Sequence, residues 1–190
     1  MDARLSGSNQ YQAIDSLIAR DFPRLTCRKQ GEALIKSGQS IVEGSIETIS
    51  AMESSYLIVQ GPPGTGKTYT GSKVIIELMK AGHRVGITSN SHKAINNLLL
   101  AVDKEAVSIC YKFNGVKKAG DADDDLDNCI NIQSVTSNED ALADMFKLVA
   151  GTAWLFSHEL ADQFLDYLFI DEAGQVALGN LVAMGTSTRN

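Results

Sequence analysis

Three prolines, three cysteines and one tryptophan in 190 residues set the first limits. So little proline excludes a collagen-like or polyproline chain, and 44% hydrophobic with 21% charged residues describes a folded domain, not a disordered tract. Cys27, Cys110 and Cys129 are odd in number and far apart, which fits neither a disulfide framework nor a zinc site. His83, His92 and His158 lack the helical spacing to other ligand types that a metal site needs. The longest uncharged stretch, 173–188, carries Gln175 and Asn180 and falls short of a membrane span. The first twenty residues hold Asp2, Arg4, Asp15 and Arg20 in place of a secretory signal's apolar centre. The chain is expected in the cytoplasm, away from membranes.

The length suits one compact domain. A net charge of -6 argues at first against nucleic acid. Yet Asp121, Asp123, Asp124, Asp125 and Asp127 lie in one run that reads as a solvated loop, and without it the chain is nearly neutral.

Periodicity organises the rest. Residues 11–20 read as a helix with Ile14, Leu17 and Ile18 on one face, ended by Pro23. Ser40 and Glu43 have capping-box spacing ahead of a helix ending near Met52. From Ser55 onward, short apolar runs alternate with amphipathic helices, the pattern of a parallel sheet covered on both faces. Expected strands are 56–59, 84–88, 107–111, 129–133, 147–150 and 167–170. Expected helices are 67–80, one capped by Ser91, a short one capped by Ser137, and 174–184. Residues 115–128 read as loop.

The chemistry starts at Gly61-Pro62-Pro63-Gly64-Thr65-Gly66-Lys67-Thr68, which satisfies G-x-x-x-x-G-K-[ST] between an expected strand and an expected helix. Glycines let several N–H groups turn inward, so a nest of donors and a helix N-terminus face one anion. Lys67 supplies a point charge for the outer phosphates and Thr68 a hydroxyl for Mg²⁺. Gly61, Pro62, Gly64, Thr65, Gly66, Lys67, Thr68 and Tyr69 are the candidate ATP contacts. A dinucleotide fingerprint is disfavoured, because its third glycine would fall on Tyr69.

Further on, the apolar run 167–170 leads directly into Asp171-Glu172, delivering two acids to the carboxyl edge of the sheet. Asp171 suits Mg²⁺ and Glu172 suits positioning and deprotonating an attacking water, a hydrolase's arrangement.

Together, GPPGTGKT at 61–68, ITSNSHKAINNLL at 87–99 and DEAGQ at 171–175 resemble motifs I, Ia and II of superfamily 1 helicases. The Asp-Glu-Ala-x-Gln form is similar to the branch holding nonsense-mediated-decay RNA helicases and DNA helicase-nucleases. The segment 89–95 is most similar to bacterial helicase domains joined to a RecB-like nuclease. The resemblance covers about 55–190. It implies an α/β P-loop NTPase with a RecA-like three-layer α/β/α parallel sheet, incomplete at the C-terminus: residues 51–190 as a partial lobe and 1–50 as a helical or irregular extension. It implies ATP and Mg²⁺, single-stranded DNA or RNA as partner, and a second RecA-like lobe outside these residues, and it leaves open an attached nuclease. Ser89, Asn90, Ser91, His92 and Lys93 would grip the strand, with Thr152 in a second contact. Gln175 would sense the γ-phosphate and Gln39 is a possible adenine contact.

On the residues alone, Lys93 also reads as a solvated helix charge, and Trp154 could stack on a base but, beside Leu155 and Phe156, reads more readily as core. A motif III strand would normally insert between 56–59 and 167–170, so those segments are expected apart or mispaired. Two other readings stand beside the motor: an AAA+ ATPase working as a ring on protein or DNA, and a nucleotide-gated binding module without hydrolysis.

Overall fold

The computed structural model describes residues 10–26, 28–119, 126 and 128–190. Cys27 and all five aspartates of the acidic run, expected as a solvated loop, lie outside them. Strands β1 (Val85–Thr88), β2 (Gly115–Lys118), β3 (Ile132–Val135), β4 (Leu148–Ala150) and β5 (Tyr167–Ile170) form one sheet in the order β3-β2-β4-β1-β5. Every pairing is parallel, an arrangement that goes with both faces being covered.

The pleat sorts the strand residues into two cores. Val85, Ile87, Leu148, Ala150 and Tyr167 face helices α3 (Lys67–Lys80) and α4 (His92–Ser108). Val149, Leu165 and Leu168 face the opposite side with Phe146, Leu155, Phe156 and Met184. That side carries α5 (Asn138–Ala141), α6 (Ala153–Phe156) and α7 (Leu178–Gly185). Gly86 falls on the second face, where an added Cβ would meet Leu165 Cδ1 at 2.4 Å and Leu168 Cδ1 at 2.9 Å. Each fully buried Ile or Leu stabilises this layering by roughly 1.5–3 kcal/mol.

Two N-terminal helices, α1 (Gln12–Ala19) and α2 (Ile41–Ser50), precede the sheet. The Ser40 hydroxyl accepts from Glu43 N–H and the Glu43 carboxylate from Ser40 N–H, completing the expected capping box. Helix α2 packs on α3. Ahead of it, Glu47 gathers Arg28 at 2.9 Å, Lys36 at 2.6 Å and Gln39 at 2.7 Å. The Lys36 hydrogen bond, then those of Gln39 and Arg28, hold the Glu47 carboxyl down to about 2.

Three expectations need correction. Residues 107–111 are not a strand: α4 runs on to Ser108, burying Val102 and Ala106 in phase, while Val107 and Ile109 face solvent. The next strand is Gly115–Lys118, in what reads as loop, flanked by β3 and β4. The third concerns Tyr56–Val59, which lies outside the sheet, with Ile58 73% exposed. The outer edge of β5 and the residues just before it is engaged by the chain after α7: Leu165 N–H donates to Ser187 O at 2.8 Å and Leu168 N–H to Asn190 O at 2.9 Å. Val59 and Phe169 both line one cavity, and no ladder joins the two segments among the described residues.

Candidate nucleotide and strand-binding site

The phosphate loop enters α3 through two left-handed glycines, Gly64 at φ +80° and Gly66 at φ +82°. Gly66 is the N-cap, and the first turn of a helix leaves N–H groups without intrahelical acceptors. Thr65 Oγ1 donates to Pro62 O at 2.8 Å, tightening the bend. Lys67 folds back over it, its Nζ donating to Gly61 O at 2.6 Å and Pro62 O at 3.0 Å. Lys67 and Thr68 are both exposed.

At the tip of β5, Asp171 N–H donates to Thr88 O at 2.9 Å, fixing the carboxylate beside the end of β1. Its Oδ1 accepts from Glu172 N–H at 2.9 Å. Glu172 adopts a left-handed conformation at φ +53° and opens the 3-10 turn Ala173–Gln175, so the expected helix from 174 begins only at Leu178. Glu172 and Gln175 are exposed.

A cavity of about 140 Å³ joins the two halves: Lys67, Thr68 and Asp171 line it together with Ser45, Ile49 and Val59. The hydroxyl of Thr68 and the carboxylate of Asp171 are hard oxygen donors, the set Mg²⁺ prefers. Tyr69 is absent from this wall; its ring lies under Lys73 Nζ, 5.0 Å from the centroid. Gln39 is absent too, its amide shared between Lys36 N–H and Glu47.

Beside β5, the loop after β1 carries the expected strand-gripping residues. Asn90, His92 and Lys93 are exposed. Asn90 Nδ2 donates to Gln175 O at 2.7 Å, pinning this loop to the 171–175 loop. Ser91 spends its hydroxyl as the N-cap of α4, accepting from Ala94 N–H. Ser89 does not belong with them: one residue past β1 it is still inside the covered zone, 3% exposed. Thr152 holds the N-cap position of α6 with no side-chain cap bond. Arg189 lies at the other end of β5, on Asp166 at 3.2 Å.

A family model described as the AAA domain matches residues 43–189, taking in both halves of this cleft. The chain belongs to the AAA-domain family. Among curated proteins it is similar to the DNA replication ATP-dependent helicase/nuclease DNA2 of Saccharomyces cerevisiae, 32% identical over 68% of this chain. It is also similar to the DNA replication ATP-dependent helicase/nuclease JHS1 of Arabidopsis thaliana, 29% identical over 65% of the chain, and to human DNA2, 26% over 66%. The alignments cover 8%, 9% and 12% of those relatives, so the chain spans about a tenth of their length. They agree with the superfamily 1 resemblance in motifs I, Ia and II, and the all-parallel sheet agrees with a P-loop NTPase.

One wall of this AAA domain's cleft, and one exposed side chain outside it, escaped sequence reading. Ser45 and Ile49 reach it only because α2 packs on α3, and no local pattern announces that contact. Trp154, read as core, is 84% exposed. The short helix α6 turns Leu155 and Phe156 inward and leaves the preceding indole outside.

Proposed function

We propose that this chain is the ATP-binding and ATP-hydrolysing lobe of a superfamily 1 helicase or translocase, working on single-stranded nucleic acid with a second lobe. The observation that carries the reading is the single cleft lined by Lys67, Thr68 and Asp171. On this reading 51–190 form the lobe proper and 1–50 an extension whose α2 closes one wall.

The residues divide the work as follows. The ammonium of Lys67 leaves the Gly61 and Pro62 carbonyls to meet the outer phosphates, and backbone amides of 64–68 cradle them. Thr68 and Asp171 would hold Mg²⁺, whose charge would offset that of the phosphates. The carboxylate of Glu172 takes a proton from the attacking water. Gln175 stands at the same loop, bonded through its carbonyl to Asn90, so phosphate sensing and strand contact share one segment. Asn90, Ser91, His92, Lys93 and Thr152 supply amide, hydroxyl, imidazole and ammonium groups for the strand's phosphates.

The test is ATP turnover by the longer parent chain, with and without poly(dT) or poly(U). Stimulation by single strands, with turnover lost in Lys67→Ala and in Glu172→Gln, supports the motor. Turnover that needs a hexamer and ignores nucleic acid would favour the ring-forming alternative, which the AAA-domain match keeps in view. Nucleotide binding without turnover would favour a gated binding module.

A further inference from the structure

Trp154 is the chain's one tryptophan and, at 84%, the most exposed large apolar side chain among the described residues. Its neighbours Leu155 and Phe156 are fully buried, and α6 packs against α7. The helix is therefore anchored from behind, and the indole stands out on a fixed support.

The surroundings decide what an exposed indole meets. Strands β4 and β1 are paired neighbours, with Ala150 opposite Ile87, and Gly151 N–H donates to Ile87 O at 3.1 Å. The loop bearing Trp154 thus leaves the carboxyl edge beside the loop bearing Asn90, His92 and Lys93, all exposed. Thr152, two residues before the indole, keeps its hydroxyl free of capping. Neither α4 nor α6 has an acidic residue in its first turn. A flat aromatic face beside hydroxyl, amide, imidazole and ammonium groups matches a ligand of bare π-faces on an anionic backbone. Duplexes hide those faces; single strands present them.

We propose that Trp154 is a stacking platform for a base of single-stranded nucleic acid, whose phosphates run over Asn90, His92 and Lys93. This rests on the motor reading and adds to it a base contact that the phosphate-gripping residues do not supply. The stack is sequence-tolerant, since every base has a π-face, as suits a lobe that steps along a strand.

Because the chain has a single tryptophan, its emission reports this one position. The 190-residue chain is titrated with poly(dT) at low salt while tryptophan emission is followed, and with an end-labelled thymidine oligonucleotide while anisotropy is followed. Both signals change over the same protein-to-strand range. Trp154→Ala weakens strand binding by about 5- to 150-fold, the range for one stacked base, and leaves the salt dependence unaltered. Trp154→Phe, which keeps a ring, retains most of the affinity. Lys93→Ala reduces the salt slope by about 1 with emission still quenched by the strand. A rise in anisotropy with unchanged emission, or wild-type affinity in Trp154→Ala, overturns this inference and leaves the motor reading intact. No anisotropy change with wild-type protein overturns the stack, whereas the motor reading falls only if single strands leave turnover by the parent chain unchanged. Emission that shifts with protein concentration alone makes the indole a protein contact and overturns the stack.

Discussion

Replacing Lys67 with alanine separates the loop's role in folding from its role in binding. The lysine is exposed, and its ammonium donates to the Gly61 and Pro62 carbonyls on the same loop. Its removal therefore leaves both cores untouched and should change intrinsic stability by less than about 1 kcal/mol. Against a polyphosphate the loss is larger: a charge-assisted hydrogen bond contributes about 1.5–3 kcal/mol, or roughly 10- to 150-fold in affinity. With Mg·ATP at about 100 times its Kd, linkage stabilises the wild type by about 2.7 kcal/mol. For a domain of this size that raises Tm by about 5–11 °C. If affinity falls 100-fold at the same ATP concentration, linkage supplies only about 0.4 kcal/mol, a rise of about 1–2 °C. Thermal melts with and without Mg·ATP read both quantities. Equal ATP-induced shifts in the two proteins would refute the assignment of Lys67 to the phosphates.

Glu172→Gln keeps the size and exposure of the side chain and should retain Mg·ATP binding while phosphate release by the parent chain falls by about 10²–10⁴; unchanged turnover removes Glu172 from the chemistry. Gly86→Ala forces a Cβ to within 2.4 Å of Leu165 and 3.3 Å of Phe156, an overpacking that should lower urea stability by about 1–3 kcal/mol, whereas no change would mean that the second face yields freely. The Glu47 carboxyl sits at about 2 when folded, below its ordinary 4.5. Its stabilising effect is therefore complete above pH 4.5 and is lost as pH falls towards 2. Melts of wild type and Glu47→Gln should differ at neutral pH and converge over that window, and a constant difference would sink the idea.

What could be read from the sequence had local causes. The capping box at Ser40 and Glu43, the helix from Lys67 and the strand Tyr167–Ile170 are written in contiguous residues, and the structure has all three. The glycine bend into that helix and the position of Asp171 at the strand's tip were legible for the same reason. What failed depends on partners. Tyr56–Val59 has a strand's composition but no neighbour to complete its ladder. Gly115–Lys118 looks polar, yet sits between two strands with Lys117 buried. Val107 and Ile109 suggested a strand, but α4's buried stripe passes through Val102 and Ala106 and carries them on its outer side. Ser89 and Trp154 were misjudged in opposite directions, because burial at an element's first or last residue depends on phase against the layer beneath.

The bond from the Asn90 carboxamide to the Gln175 carbonyl leaves no slack between two neighbouring turns at the top of the sheet. The tie is a single side chain reaching from one turn to the backbone of the other. Asn90→Ala removes that tie and, on the motor reading, one strand contact with it, so strand affinity should fall while Mg·ATP binding by the phosphate loop holds.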